Sequence, residues 1–412
     1  MGISRISKAI AEVRGDNKFQ DALDVRIKDI DIYLPQKLTN THRLMARTAT
    51  ALILRCFKGK IRFHLPTPDA PLFEFAAAEA RKMESMERLD FKSSEAGPWR
   101  LALGCKENNA ICADASGWTA RINDVFADPK PAAPPAITFA VSCAVAKLFN
   151  SSIFRSDRNA FENWDFCLLR FLIGKNEPVD VSQVDLGRMG LLGAGGIGSA
   201  VGYVLFLSDW LGQLEIIDFD YFEEPNLETC LMASMPDVNK PLRKAASLVN
   251  NFRAHTISSK ERDFKVEAGA PILTERWDAF VCGVDNSETR LILDNVNAGV
   301  FLNAGLGATR EDVGWVLYTR LLNGIPPLSA IYKASASEAL LSGEDVPEEF
   351  QTKCLRKDYE GISLALPFVG LAAGSLLASG IYQHSIKQPT TISSIRLDLF
   401  AKQQRIIIFQ SD

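Results

Sequence analysis

Gly193-Ala194-Gly195-Gly196-Ile197-Gly198 follows the run Arg188-Met189-Gly190-Leu191-Leu192 and opens a second apolar stretch reaching about Leu207. The first run reads as a strand and the second as a helix, with the glycines making the turn between them. Glycines allow a tight turn and let backbone amides approach a phosphate at the positive end of the helix. A further strand, Leu214 to Ile217, delivers Asp218 twenty residues after Gly198, a spacing that suits an acceptor for ribose hydroxyls. The unit is therefore α/β and nucleotide-binding. Taken alone, Gly193, Gly195, Gly196, Ile197, Gly198 and Asp218 suit NAD as well as ATP.

Around this unit lies a 412-residue chain, 47% hydrophobic and 23% charged, with room for two domains. A net charge of −4 argues against a nucleic-acid binder that relies on bulk positive charge. Met1 to Ala22 is mixed and polar, unlike a secretory leader, and the expected location is cytoplasmic. The eight cysteines form no Cys-x-x-Cys pair, so neither a disulfide framework nor a zinc site is expected. Ile362 to Tyr382 has the length of a membrane span, but its glycine, alanine and serine content equally suits a helix packed tightly inside a domain, and no membrane association is expected.

The same order of features occurs twice. Trp99 to Gly104 is a short apolar run, followed by Gly117-Trp118, a strand from Thr119 to Asn123, and an Ala-rich helix opened by Pro134 and Pro135. In the second half Val300 to Gly305, Gly314-Trp315, a strand Val316 to Leu322 and an Ala-rich helix after Pro367 repeat that order. From Gly-Trp to proline is 16 to 17 residues in the first copy and 52 in the second, which carries about 35 more. The first copy is read as opening with a strand at Lys60 to Leu65, with no glycine-rich turn after it and so no nucleotide site.

Downstream of the loop come Asp218-Phe219-Asp220, Asn226-Leu227, a basic run from Lys240 to Lys244, and Asp285-Asn286 with Arg290. With these, residues 190 to 390 resemble the ubiquitin-activating superfamily, which includes the ThiF-type bacterial enzymes that activate sulfur carriers. The best-matching pieces are GAGGIGS, DFDYFEEPNL, KPLRKA and GVDNSETR. The resemblance implies an E1-like adenylation domain of Rossmann type at 179–412, preceded by a degenerate, nucleotide-free Rossmann-like domain at 1–178. Paired halves in one chain resemble the activating enzyme of the Bil-type ubiquitin-like operons of bacterial antiphage defence.

The resemblance also assigns roles. Asp218 and Asp220 are expected to bind ribose and support catalysis, Asn226 to stand for the family's asparagine as a catalytic and nucleotide-binding residue, and Lys244, or Lys240 in its place, to contact the ATP phosphates. Asp285 is expected to hold Mg2+, a hard cation that needs oxygen ligands beside phosphate. The pattern departs at one place: the family carries Asn-Leu-x-Arg-Gln, whereas Leu227 is followed by Glu228, Thr229 and Cys230. The phosphate-binding arginine is missing there, and Arg5, Arg14 and Arg47 of the first half are candidates to replace it.

Cys354 lies thirteen residues before Pro367, in an insertion at about 323–362 that also holds an acidic run from Glu338 to Glu349. Lys353, Arg356 and Lys357 flank it and would favour a thiolate. The resemblance makes Cys354 the thioester-forming residue, with a ubiquitin-like protein and an E2-like conjugating enzyme as partners and a single chain sufficing for activity. Cys56, Cys143, Cys167 and Cys282 stand in apolar runs and are read as small buried hydrophobes. Three rivals remain: an NAD-dependent oxidoreductase, an enzyme that adenylates a peptide or small acid without a thioester, and a scaffold half of a heterodimer.

Overall fold

Ile30–Tyr33 is the first strand, β1, and the chain returns from it through helix Asn40–Cys56 to β2, Ile61–His64. The opening strand expected at Lys60 to Leu65 is thus the second, because Ile30-Asp31-Ile32-Tyr33 is short and carries a charge in mid-strand. Asp31 is fully buried there, bonded to the Gly97 amide and lying 2.7 Å from His64 Nε2. The computed structural model describes residues 4–14, 19–93, 95–154, 163–173, 184–284, 287–307, 312–322, 365–388, 390, 392–401 and 405–410.

The first sheet continues with β3 (Leu89–Asp90), β4 (Arg100–Leu103), β5 (Ile111–Ser116), β6 (Thr119–Ile122), β7 (Trp164–Cys167) and β8 (Leu172–Ile173). The second holds β9 (Asp185–Leu192), β10 (Leu211–Ile217), β11 (Ile257–Arg262), β12 (Trp277–Cys282), β13 (Ala298–Leu306), β14 (Trp315–Leu321), β15 (Ile392–Asp398) and β16 (Arg405–Gln410). Their orders, β3-β2-β1-β4-β5-β6-β7-β8 and β11-β10-β9-β12-β13-β14-β15-β16, are the same topology twice. In each, the strands up to the fifth are parallel and the last three run antiparallel. The repeat is real, with one shift in the pairing of its parts. β4, at Trp99 to Gly104, corresponds to β12; the counterpart of β13, at Val300 to Gly305, is β5.

The fold is α/β of Rossmann type in both halves. The order of the second sheet reverses direction between β9 and β12, which opens the crevice where such sheets bind ligands. At the matching turn of the first half the chain runs Leu34-Pro35-Gln36-Lys37-Leu38-Thr39, and Thr39 caps the next helix with the His42 side chain returned to its amide.

The halves share one apolar core. Helix Pro134–Ile153 is long and apolar enough to cross a membrane, yet it lies buried against the equivalent helix Pro367–Ser385. Small residues allow the latter to approach the loop helix closely, since a Cβ on Gly374 would stand 2.8 Å from the Ala200 carbonyl carbon. Phe149 meets Phe368 across this seam, and Trp118 meets Tyr382 at 4.3 Å between ring centres. Each such fully buried large side chain stabilises by about 1.5–3 kcal/mol.

Candidate functional site

The loop Gly193 to Gly198 follows β9 and ends in helix Gly196–Phe206. Two of its glycines are obligatory. Gly193 has φ +86°, a conformation that side chains resist, and a Cβ on Gly198 would fall 1.8 Å from the Gly193 carbonyl oxygen. Gly195 is different: a Cβ there would meet nothing within 4 Å. Open space therefore lies before the first turn of the helix, whose amides have no intrahelical acceptor.

Asp218 closes the loop from the end of β10. Its Oδ2 accepts the Ala194 amide at 2.6 Å and its Oδ1 the Asp220 amide at 2.8 Å. Burial raises its pKa, and the two amide hydrogen bonds oppose that rise. Asp220 is half exposed and pairs with Lys244 Nζ at 3.0 Å. Lys244 opens helix Lys244–Asn251 and is anchored a second time, its amide donating to the Asp220 carbonyl. Lys240 stands exposed at the end of the short helix Met235–Asn239. The structure thus gathers Asp218, Asp220 and Lys244 at the loop and leaves Lys240 outside this cluster.

Asn226 is buried and acts within its own turn, its Oδ1 accepting the Glu223 amide at 2.9 Å. The turn carries Thr229 to within 3.8 Å of where a Cβ on Gly196 would sit. Cys230 follows, fully buried, and burial raises its thiol pKa against the pull of Lys244 and Arg5.

The three candidates for the missing arginine separate clearly. Arg47 is committed to Glu79 at 2.8 Å and covers the rings of Phe75 and Phe206. Arg14 ends the helix Arg5–Arg14 and so lies about 13 Å along it from the first residue. Arg5 bears electrostatically on Cys230, and its buried Nε has no hydrogen-bond partner among the described residues. Sequence spacing had no way to rank them, since their places relative to the site are set only by the packing of the halves.

Asp285, Asn286 and Cys354, with the acidic run Glu338 to Glu349, lie outside the described residues. Arg290 is buried nearby and donates to the Val284 carbonyl at 2.6 and 2.9 Å, holding the chain that leads to Asp285. Among the described residues no three histidines, cysteines or carboxylates converge as a metal set. Cys56, Cys143, Cys167 and Cys282 are buried, as is Cys112, while Cys105 is half-buried.

This arrangement of glycine turn, strand-end carboxylates and helix-borne lysine lies within a segment that matches a known family. Residues 187–386 match the BilD C-terminal domain. The E1-like resemblance read from the motifs therefore stands. The bacterial E1-like protein BilD of Collimonas sp. (strain OK412) is 26% identical over 219 residues, 49% of this chain and 46% of that protein. The match thus spans about half the length of that relative. Among solved structures, E. coli MccB aligns at TM-score 0.39 with 18% identity, over 54% of this chain and 62% of its own. The microcin C7 biosynthetic enzyme MccB in complex with N-formylated MccA aligns at TM-score 0.41 with 14% identity, over 65% and 71%.

Proposed function

We propose that this protein activates the C-terminal carboxylate of a ubiquitin-like protein with ATP, as an E1-like enzyme of a bacterial conjugation system. The observation that carries the reading is the cluster of Asp218, Asp220 and Lys244 around an open-faced glycine loop, within the segment that matches BilD. A hydride-transfer enzyme has no need of a lysine fixed beside the second strand-end carboxylate, whereas a triphosphate does.

In this reading the loop amides and helix terminus hold the phosphates, and Asp218 and Asp220 take the ribose hydroxyls. The carboxylate attacks the α-phosphorus, a carboxyl–phosphate bond forms, and the bond to pyrophosphate breaks. Lys244 and Arg5 face the charge that accumulates on the departing pyrophosphate, the usual largest electrostatic contribution to such a step. Asp285 would supply an oxygen ligand to Mg2+, which neutralises phosphate charge when bound. The Cys354 thiolate then attacks the acyl carbon, AMP leaves, and a thioester remains for transfer to the cysteine of an E2-like partner.

The proposed division of labour sets an inactive half at 1–178 against an active one at 179–412, within a cytoplasmic antiphage system. Incubation with ATP, Mg2+ and a ubiquitin-like protein, followed by non-reducing electrophoresis, tests it. A thiol-sensitive adduct is expected, absent in Cys354→Ala, while that variant keeps ATP–pyrophosphate exchange. Exchange without any adduct would leave adenylation of a peptide or small acid as the activity. Tight NAD binding without exchange would overturn the proposal.

A further inference from the structure

Glu228 stands at the variable position of the motif, just before Thr229, which takes the place of the family's arginine, and its carboxylate faces the other half of the molecule. Only 8% exposed, it accepts the Ser4 hydroxyl at 2.7 and 2.9 Å, the Ile6 amide at 3.2 Å and Arg26 Nη1 at 2.7 Å. Arg26 is fully buried and is itself fixed, with Nη1 donating to Ser4 and Ser7 and Nε donating to the Cys56 carbonyl at 3.0 Å. Burial pushes the Glu228 carboxyl up, but Arg26 and the Ser4 hydrogen bond outweigh it and hold the group below the usual carboxylate range.

Ile6 belongs to the first turn of helix Arg5–Arg14, where amides lack intrahelical acceptors. Glu228 therefore caps that helix from the opposite half, with its charge at the helix's positive end. One residue further along, Thr229 lies over Gly196, and Cys230 feels the charge of Arg5. Glu228 thus sits at the junction of two structures, the amino-terminal helix and the segment that faces the glycine loop. A buried ion pair adds little net stability compared with apolar groups of the same shape, but it permits far fewer relative positions of its two partners.

We infer that Glu228, with Arg26, is a positioning residue that clamps helix Arg5–Arg14 to the segment 226–230 and so sets Arg5 beside that segment, which faces the glycine loop. Its consequence for nucleotide binding rests on the function proposed above; the clamp itself does not.

Two measurements on the full chain separate these. In hydrogen–deuterium exchange, Glu228→Gln is expected to speed the amides of residues 6–10 by about tenfold while those of 211–217 are unchanged. In calorimetry with ATP, Glu228→Gln is expected to weaken binding about tenfold, Arg5→Ala at least as much, and the double variant no more than Arg5→Ala alone. Arg26→Ala should weaken binding as Glu228→Gln does, and Arg26→Lys, which keeps the charge, should lose less. Unchanged exchange at 6–10 overturns the clamp, and a double variant that loses the product of both single effects overturns its action through Arg5. If the unaltered chain binds no ATP, the proposed function fails, and the exchange result still decides the clamp. Should Glu228→Gln loosen the whole chain, Ser4→Ala takes its place, with a twofold to threefold rise confined to 6–10 expected and no rise there overturning the clamp.

Discussion

The hydroxyl oxygens of Thr138 and Ser375 lie 2.7 Å apart where the long helices of the two halves cross. Each is also 2.8 Å from a carbonyl one turn back in its own helix, Pro134 for Thr138 and Leu371 for Ser375. With Thr138 also 3.2 Å from the Pro135 carbonyl, two protons serve four contacts, so removing one hydroxyl lets the other turn fully to its own helix. Thr138→Val is therefore expected to cost only about 1 kcal/mol in urea denaturation. Because the core is continuous across the seam, both halves should unfold in a single transition followed by tryptophan fluorescence.

The glycine loop separates folding from binding. Gly198→Ala places a methyl into the Gly193 carbonyl and should cost roughly 2 kcal/mol or more, read as a lowered Tm. Gly195→Ala meets only open space and should leave Tm almost unchanged. Its methyl would stand where the phosphates are proposed to lie, so ATP affinity should still fall, as titration calorimetry will show.

Lys244, which the motif favours, and Lys240, its alternative, differ in space. Lys244→Ala should slow ATP–pyrophosphate exchange about a hundredfold, whereas Lys240→Ala should change it less than about twofold. Equal losses would mean that the exposed lysine swings in to the nucleotide.

Acid sensitivity has a local source. Arg262 donates to Glu275 at 2.6 and 2.8 Å and Arg188 also reaches it, which together pull its pKa to about 2 despite some burial. A carboxylate with a depressed folded pKa contributes stability above its unfolded pKa and loses it as pH falls through the folded one. The stability difference between the unaltered chain and Glu275→Gln should thus be full above about pH 5 and gone near pH 2. Asp218 has the opposite sign, since burial raises its pKa. Its ionisation weighs against folding as pH rises past the usual carboxylate range, and Asp218→Asn should remove that slope.

The nucleotide loop and its carboxylates were legible because they are local. A glycine turn needs its neighbours within a few residues, and Asp218 comes back to the Ala194 amide through one helix and one strand. The first half was only partly legible. Its Gly-Trp and proline landmarks survive, but β1 is four residues long with Asp31 buried in it, and the contacts of that carboxylate with Gly97, His64 and Arg62 make the strand tolerable. The family pattern could not have singled out Glu228, which stands at its variable position beside the lost arginine, and its partner stands 202 residues earlier.

By itself, then, the sequence determined a strand, a glycine turn, a helix and a carboxylate pair, because steric and hydrogen-bonding demands between near neighbours permit little else. Which of the candidate cations stand at that turn, and which acids hold them, was decided by the tertiary structure. Lys244 reaches Asp220 and Arg26 reaches Glu228 only when separate segments pack together, and no spacing along the chain encodes that proximity.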